Sequence, residues 1–453
     1  MRQKIRQLIL LIGDAALLYA ALFAALSIRH RELIDIHTWN THWVAFSYIF
    51  AAWIVIFYIA GFYTLSNIRN DLKFYITATR TLAINILLAI SFFYIFPNLE
   101  IAPKTILGLT GIIYFIFLIL WRRVAHRTIS SQGFKRKVLV LGYNPIVKEL
   151  SKLLHQNPQL GYEIAAVLSD DKNNRIPEVK HYNYAHELND IMSRHRITTI
   201  IMDENVQESP ILVRSLYEKI NLGIEYLSLT QFYENVTKKI PIEAINHIWF
   251  LENLEESNKR FYEINKRLID FALAVIGIIF SIILMPILSA LIVATSGRPV
   301  FFTQIRLGKN GKAFRAIKLR TMIQDAEKNG PQWAQENDPR ITPVGGFLRK
   351  TRLDELPQLL NVLRGEMTFV GPRPERPEFV TKLARISPFY RERLLVRPGL
   401  TGWAQVNFRY GANEDDAMKK LQYDLYYVKN RSLILDLAII LRTIKTVLSR
   451  SGR

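Results

Sequence analysis

The chain contains no cysteine. Disulfides, thiolate metal sites and a cysteine nucleophile are therefore excluded, although nothing follows about compartment. Acidic residues are scarce, 39 Asp and Glu against 59 Lys and Arg, for a net charge of +20. A surplus of that size suits nucleic acid, an anionic membrane surface or a phosphate-rich substrate, and only its location separates these. No recognised nucleic-acid motif is present, so nucleic acid is not an expected partner. Charge is not the dominant feature, because 50% of the residues are apolar. That composition argues against disorder and against an ordinary soluble enzyme, and 453 residues hold about three domains.

Four apolar stretches, near 7–28, 43–63, 81–97 and 105–121, approach the ~20 residues that an α-helix needs to cross a bilayer. Trp39, Trp43, Tyr63 and Trp121 sit near their ends, where aromatic side chains favour the headgroup level. Arg2, Lys4, Arg6, Arg69, Lys73, Arg80 and the basic run from Arg122 to Lys137 fall on one side of these stretches. Only Arg29, Arg31 and Lys104 fall on the other. Residues 1–125 are thus expected to form a four-helix transmembrane region with both ends in the cytoplasm. A cleaved signal peptide is the weaker alternative for the first stretch, since three more follow. Asp14 lies inside the first span near its cytoplasmic end, where an interfacial or bundle-facing structural role outweighs a functional one.

Residues 135–245 read as strands alternating with helices, beginning with Lys137-Val-Leu-Val-Leu-Gly142 and continuing at 162–168 and 198–202. This pattern predicts a small Rossmann-type α/β domain on a parallel sheet. A dinucleotide fingerprint needs three glycines, and Gly142-Tyr143-Asn144-Pro145-Ile146 supplies one. A regulatory or assembly role is therefore favoured over tight dinucleotide binding, and homo-oligomer formation through this domain stays open.

From 271 to 295 the chain carries no charge, long enough for a fifth span. Two features oppose a crossing. Pro286 interrupts the run, and residues 298–453 carry 29 Lys and Arg against 15 Asp and Glu, a net +14 that a crossing would export. The pattern predicts a re-entrant helix over about 268–295, hinged at Pro286, with Lys266, Arg267 and Asp270 at headgroup level. A simple kinked span is the alternative.

Past Gly297, Asn310-Gly311 between two extended segments signals a hairpin turn. Lys318 and Arg320, two apart, share one face of the extended chain and are placed to grip one anion. Asp354 and Glu355 then lie side by side in a basic stretch. Neighbours on a helix face different ways, so they do not form a shared-proton dyad and suit different partners. Pro357 predicts a helix start that places Asp354 at an N-terminus, kept ionised by the dipole and nearby cations. Such a carboxylate is poised to attack phosphorus while its neighbour holds a hard cation. Ordinary N-capping by the aspartate is the bland alternative, favoured on these residues alone.

Lys318-Leu-Arg320-Thr-Met322, Leu353-Asp-Glu-Leu-Pro357, Gly371-Pro-Arg-Pro374, Arg397-Pro-Gly-Leu-Thr-Gly-Trp403-Ala-Gln405 and Tyr423-Asp424-Leu-Tyr-Tyr427 follow in order. Over residues 260–453 this series resembles the bacterial sugar transferase family, the monotopic polyprenyl-phosphate phosphoglycosyl transferases. The whole chain is similar to the large members that initiate exopolysaccharide or O-antigen assembly. The resemblance implies transfer of a hexose 1-phosphate from a UDP-sugar to undecaprenyl phosphate, releasing UMP, with Mg2+ as cofactor. It implies Asp354 as the nucleophile of an aspartyl-phosphosugar intermediate, with Glu355 as a catalytic partner that binds the metal. It further implies Lys318, Arg320, Arg373, Arg397, Gln405 and Asp424 as substrate-binding or supporting residues. Arg352 stands where many relatives carry serine. The implied setting is the bacterial inner membrane, with a cytoplasmic catalytic domain in contact with lipid.

The chief rival is a membrane-bound nucleotide-sugar dehydratase or epimerase, which shares the N-terminal arrangement. It requires an intact glycine fingerprint and a Tyr-to-Lys pair four apart, and the C-terminal third lacks the strand-and-glycine opening. A membrane-tethered nucleic-acid binder and a scaffold whose carboxylates are only caps are the remaining alternatives. Stretches 379–395 and 433–448 are amphipathic, suited equally to a membrane surface or to core packing.

Overall fold

The computed structural model describes residues 2–64, 72–96, 104–130, 135–169, 175–176, 179–183, 188–203, 210–218, 223–254, 259–324, 326, 328, 330, 338–408 and 413–448. The chain divides into two units, Met1–Leu229 and Thr230–Arg453.

The first unit opens with four long helices, α1 (Arg2–His30), α2 (Ile36–Ala60), α3 (Leu72–Ile95) and α4 (Lys104–Ser130). Asp35 starts α2 by accepting from the Thr38 N–H at 3.0 Å, and Gly61 ends it in the left-handed region at φ 90°. α3 begins well before the predicted stretch, because Phe74, Tyr75 and Ile76 continue its apolar character past Arg80. α1 packs on α4 and α2, and α3 packs on α2 and α4. All four are long and apolar enough to cross a membrane, and so is one further helix among the described residues. Asp14 turns inward and meets Arg122 of α4, both fully buried.

The same unit then forms a five-stranded parallel sheet in the order β3-β2-β1-β4-β5. Its strands are β1 (Arg136–Leu141), β2 (Tyr162–Leu168), β3 (Lys180–Tyr182), β4 (Thr199–Met202) and β5 (Glu225–Ser228). Three helices accompany it, α5 (Pro145–Gln156), α6 (Leu188–His195) and α7 (Pro210–Tyr217). Leu139, Leu141, Ala166, Leu168 and Ile200 fill the core, as alternating βα units require. The chain reverses direction across the sheet between β1 and β4, the usual place for a ligand crevice. There Gly142 takes φ 89°, and Asn144 caps α5 by accepting from the Ile146 N–H at 3.1 Å.

The α/β domain ends earlier than the expected residue 245. After Ser228 the chain joins the second unit through α8 (Leu229–Thr237) and α9 (His247–Asn253). Ile240, Ile245 and Trp249 pack with Val380, Leu383, Tyr390, Leu421 and Leu425, and Glu234 pairs with Lys429 at 2.7 Å. These partners lie far along the chain, so no local pattern announces the boundary.

The helix α10 (Arg260–Ser296) runs unbroken through Pro286. Its contacts with the rest of the unit recur every three or four residues along one stripe. Tyr262 and Lys266 meet Asp436, Asp270 meets Thr368, and Ala274 packs with Val362. Gly277 lies against Leu359, and Leu288 and Ile292 pack on Leu319 and Leu348. The opposite side exposes Phe271, Ile276, Phe280, Ile283 and Ile287.

The three charges expected at headgroup level have protein partners. Lys266 pairs with Asp436, Arg267 donates to the Val362 and Leu363 carbonyls at 2.6 and 2.7 Å, and Asp270 accepts from the Phe369 N–H at 3.1 Å. The folded unit covers that stripe and supplies these partners.

Beyond α10, β6 (Phe301–Leu307) and β7 (Ala313–Leu319) form an antiparallel hairpin, with Asn310 and Gly311 both at positive φ. Next come α11 (Pro343–Thr351), a 3-10 segment Leu353–Gln358, α12 (Leu359–Arg364) and β8 (Thr368–Val370). The unit ends with α13 (Pro377–Ile386), a 3-10 segment Pro388–Leu395, β9 (Gly399–Thr401), α14 (Trp403–Asn407), α15 (Glu414–Asn430) and α16 (Leu433–Leu448). Val380, Leu383, Phe389 and Tyr390 show that the first amphipathic stretch packs into the core. α16 buries Ile439 and exposes Ile434 and Leu437.

Candidate active site

The 3-10 segment packs against β7, which brings Glu355 onto Lys318. A second approach comes from the turn after β8. β8 pairs with β9 in parallel, and Gly371, Gly399 and Gly402 meet there backbone to backbone, so a side chain on any of them would collide with the main chain. The glycines of two motifs are thus explained by one close contact, and that contact fixes where Arg373 leaves the turn.

Glu355 Oε1 accepts from Lys318 Nζ at 2.9 Å and from Arg373 Nη2 at 2.8 Å, with Arg352 Nη1 at 3.6 Å. Arg352 holds the left-handed conformation that ends α11, at φ 61°, and so turns back onto the carboxylate three residues on. Burial acts against the Glu355 charge, yet Arg373, Lys318 and Arg352 outweigh it and hold the carboxyl well below the usual range. Glu355 therefore stays ionised.

Asp354 is equally buried, at 6% exposure, but its Oδ1 has no hydrogen-bond partner among the described residues. Burial, and then the neighbouring Glu355 charge, raise its pKa above the ordinary aspartate value. Lys318, Arg373 and Arg352 act in the opposite sense and favour its ionised form. The cations make their contacts with Glu355, and Asp354 sits in the first turn of the 3-10 segment that leads into α12. The two adjacent carboxylates thus differ in surroundings, Glu355 in contact with cations and Asp354 Oδ1 without a partner among the described residues.

The other sequence-assigned residues separate. Arg320 is remote in function from Lys318 although it shares its face, because its guanidinium binds the carbonyls of Ser296, Gly297 and Arg298 and closes the C-terminus of α10. Arg397 donates to the Gly365 carbonyl at 3.1 Å and lies 3.5 Å from Glu263. Gln405 donates to the Leu400 carbonyl at 3.0 Å, while its Oε1 is buried without a partner. Asp424 accepts from Arg393 Nε and Nη2 at 3.0 and 2.7 Å, and Arg393 Nη2 also donates to the Arg373 carbonyl. Pro286 lies within α10. Arg393 escaped the sequence reading because it is one of several arginines in an amphipathic stretch.

Among the described residues no cluster of three or more His, Cys, Asp or Glu exists to hold a metal. Magnesium does not require one, since it is commonly held by one or two carboxylates together with water and substrate phosphate. Of the pair, Asp354 keeps a buried oxygen with no donor among the described residues, whereas Glu355 Oε1 is engaged by Lys318 and Arg373.

Residues 261–450 match the family model described as bacterial sugar transferase. A UDP-glucose:undecaprenyl-phosphate glucose-1-phosphate transferase of Xanthomonas campestris is 31% identical over 333 residues, 71% of this chain and 69% of that protein. The chain belongs to the bacterial sugar transferase family. A UDP-N-acetylgalactosamine-undecaprenyl-phosphate N-acetylgalactosaminephosphotransferase of Aeromonas hydrophila is 44% identical over 224 residues, 49% of this chain and 52% of that protein. A Bacillus subtilis protein described as a putative undecaprenyl-phosphate N-acetylgalactosaminyl 1-phosphate transferase is 43% identical over 160 residues, 35% of this chain and 87% of its own length. Residues 58–205 match a model described as a CoA-binding domain.

Proposed function

We propose that this chain transfers a sugar 1-phosphate from a UDP-sugar to undecaprenyl phosphate, the first step in building a surface polysaccharide. The observation that carries it is the division of labour between adjacent carboxylates, one neutralised by three cations and one with an oxygen left free. An Asp354 oxygen attacks the sugar-bearing phosphorus, the bond to the uridine-bearing phosphate breaks, and UMP leaves. An oxygen of undecaprenyl phosphate then attacks the same phosphorus, giving the diphospho-sugar and returning the Asp354 carboxylate. Splitting one displacement between two anions into two steps is the advantage of a covalent route. Lys318, Arg352 and Arg373 stand around Glu355, placed to neutralise phosphate oxygens. A magnesium ion on Asp354 and Glu355 would supply further charge neutralisation when bound.

The donor is read as an N-acetylhexosamine, because the relatives at 44% and 43% identity are named for N-acetylgalactosamine whereas the glucose-named one is 31% identical. The test is UMP release by the purified chain with magnesium, undecaprenyl phosphate and a panel of UDP-sugars. Release with UDP-N-acetylgalactosamine exceeding that with UDP-glucose is expected. No release from any donor by folded protein defeats the transferase assignment.

The enzyme is placed in the bacterial inner membrane with this unit on the cytoplasmic side, and α10 is read as re-entrant. A 37-residue helix is about 55 Å long, well beyond a hydrocarbon core of about 30 Å. Its stripe is covered by one folded unit from Tyr262 to Ser296, so a crossing would draw that basic unit into lipid. Because the chain lacks cysteine, single cysteines placed at Asn265 and Lys309 report topology directly. Labelling of both by an impermeant maleimide in inverted vesicles, and of neither in right-side-out vesicles, is expected. Labelling from opposite faces would show a full crossing.

A further inference from the structure

Within the second unit lies a small solvent-open cleft, whose polar wall is Glu375, Arg393, Asn413, Lys420 and Asp424. Tyr390, Leu383 and Ala417 add aromatic and apolar surface. Asp424 is 2% exposed and spends its Oδ2 on Arg393, whereas its Oδ1 is buried with no partner among the described residues. A buried carboxylate oxygen without a donor is costly, and a ligand hydroxyl or amide N–H removes that cost.

One residue joins this cleft to the carboxylate pair. The Arg373 carbonyl accepts from Arg393 Nη2 at 2.9 Å, and the Arg373 side chain donates to Glu355 Oε1 at 2.8 Å. The two regions differ in charge. Three cations surround one of the paired carboxylates, which suits a diphosphate, while the cleft balances two carboxylates against two cations and suits a neutral polar group. A few convergent polar groups beside an apolar wall are what a small polyhydroxylated ring needs.

We propose that this cleft receives the sugar ring of the donor, with Asp424 Oδ1 accepting from a ring hydroxyl or acetamido N–H and Lys420 and Asn413 donating to ring substituents. The assignment rests on the transferase function proposed above, and makes these residues the determinants of which sugar is transferred.

The experiment measures kcat/KM of the full chain for UDP-N-acetylgalactosamine, UDP-N-acetylglucosamine, UDP-galactose and UDP-glucose, together with inhibition by UMP. The variants are Lys420→Met, Asn413→Asp and Asp424→Asn. Asn413→Asp keeps the acceptor that caps α15 at the Asp416 N–H while removing the donor. Lys420→Met is expected to change the ratio of kcat/KM between donors by about tenfold or more, with inhibition by UMP unchanged. Asp424→Asn shifts the ratio likewise, and where it fails to fold the half-buried Lys420 decides. An unchanged ratio in both Lys420→Met and Asn413→Asp overturns the proposal. So does an equal loss across all donors accompanied by loss of UMP inhibition, which marks a structural role. A wild-type chain that releases no UMP overturns the transferase function itself, and the cleft assignment with it.

Discussion

Asp354→Asn is expected to lower UMP release by about 10³-fold or more while leaving thermal unfolding unchanged. Asparagine matches aspartate in shape but supplies no anionic oxygen to attack phosphorus. The buried Oδ1 has no donor among the described residues to lose, and Lys318 and Arg373 keep their contacts with Glu355, so the replacement breaks no direct ion pair. A carboxylate acting only as a cap predicts the reverse, a modest loss of stability with transfer retained. The pH profile offers an independent check. Burial and Glu355 raise the pKa of Asp354, whereas Glu355 is held low by its cations. As pH falls, Asp354 is protonated first, so the acid limb of kcat/KM belongs to it and lies above the ordinary aspartate range. The stability that Glu355 gains from its ion pairs is present above its unfolded pKa and is lost only at lower pH, as its depressed folded pKa is approached. An acid limb at or below the ordinary aspartate range would contradict Asp354 as the ionised nucleophile.

What the sequence made legible follows from which interactions are local. Helices of the first unit and the parallel sheet were readable because hydropathy and alternation are properties of short windows. The family motifs located Asp354, Glu355, Lys318 and Arg373, and these four converge. Arg320 did not join them, since strand periodicity shows which face a side chain takes but not what meets it. Here the end of α10 arrives first, and three carbonyls take the guanidinium. Residues 230–245 were assigned to the α/β domain for a related reason, although they pack in the second unit. Their partners are Leu421, Leu425 and Lys429, nearly two hundred residues away, and no window spans that distance. The charges of Lys266, Arg267 and Asp270 read as a membrane boundary because charges flanking an apolar run usually mark one. Only the packed structure reveals that each has a protein partner.

Asp14 offers the second large effect, and it lies outside the active site. Asp14→Ala leaves Arg122 buried between helices with no counter-charge, for an expected loss of about 3–5 kcal/mol, read as a lower unfolding temperature in detergent. The site tolerates little adjustment. At the preceding residue, Gly13, an added Cβ would collide with the Trp121 ring, so α1 and α4 approach closely at this level. Arg122 Nη1 also donates to the Phe62 carbonyl at 3.3 Å, and its guanidinium lies 5.8 Å from the Phe62 and Tyr63 rings, which tie the end of α2 to the same point. Ionisable groups inside membrane spans often serve transport or proton transfer, so structure and function must be separated. Replacing the pair together, as Asp14→Leu with Arg122→Leu, removes both charges and leaves neither stranded. Stability and UMP release should recover in the double variant if the pair only fastens α1 to α4. Recovered stability without recovered UMP release would instead assign Asp14 a part in the reaction cycle.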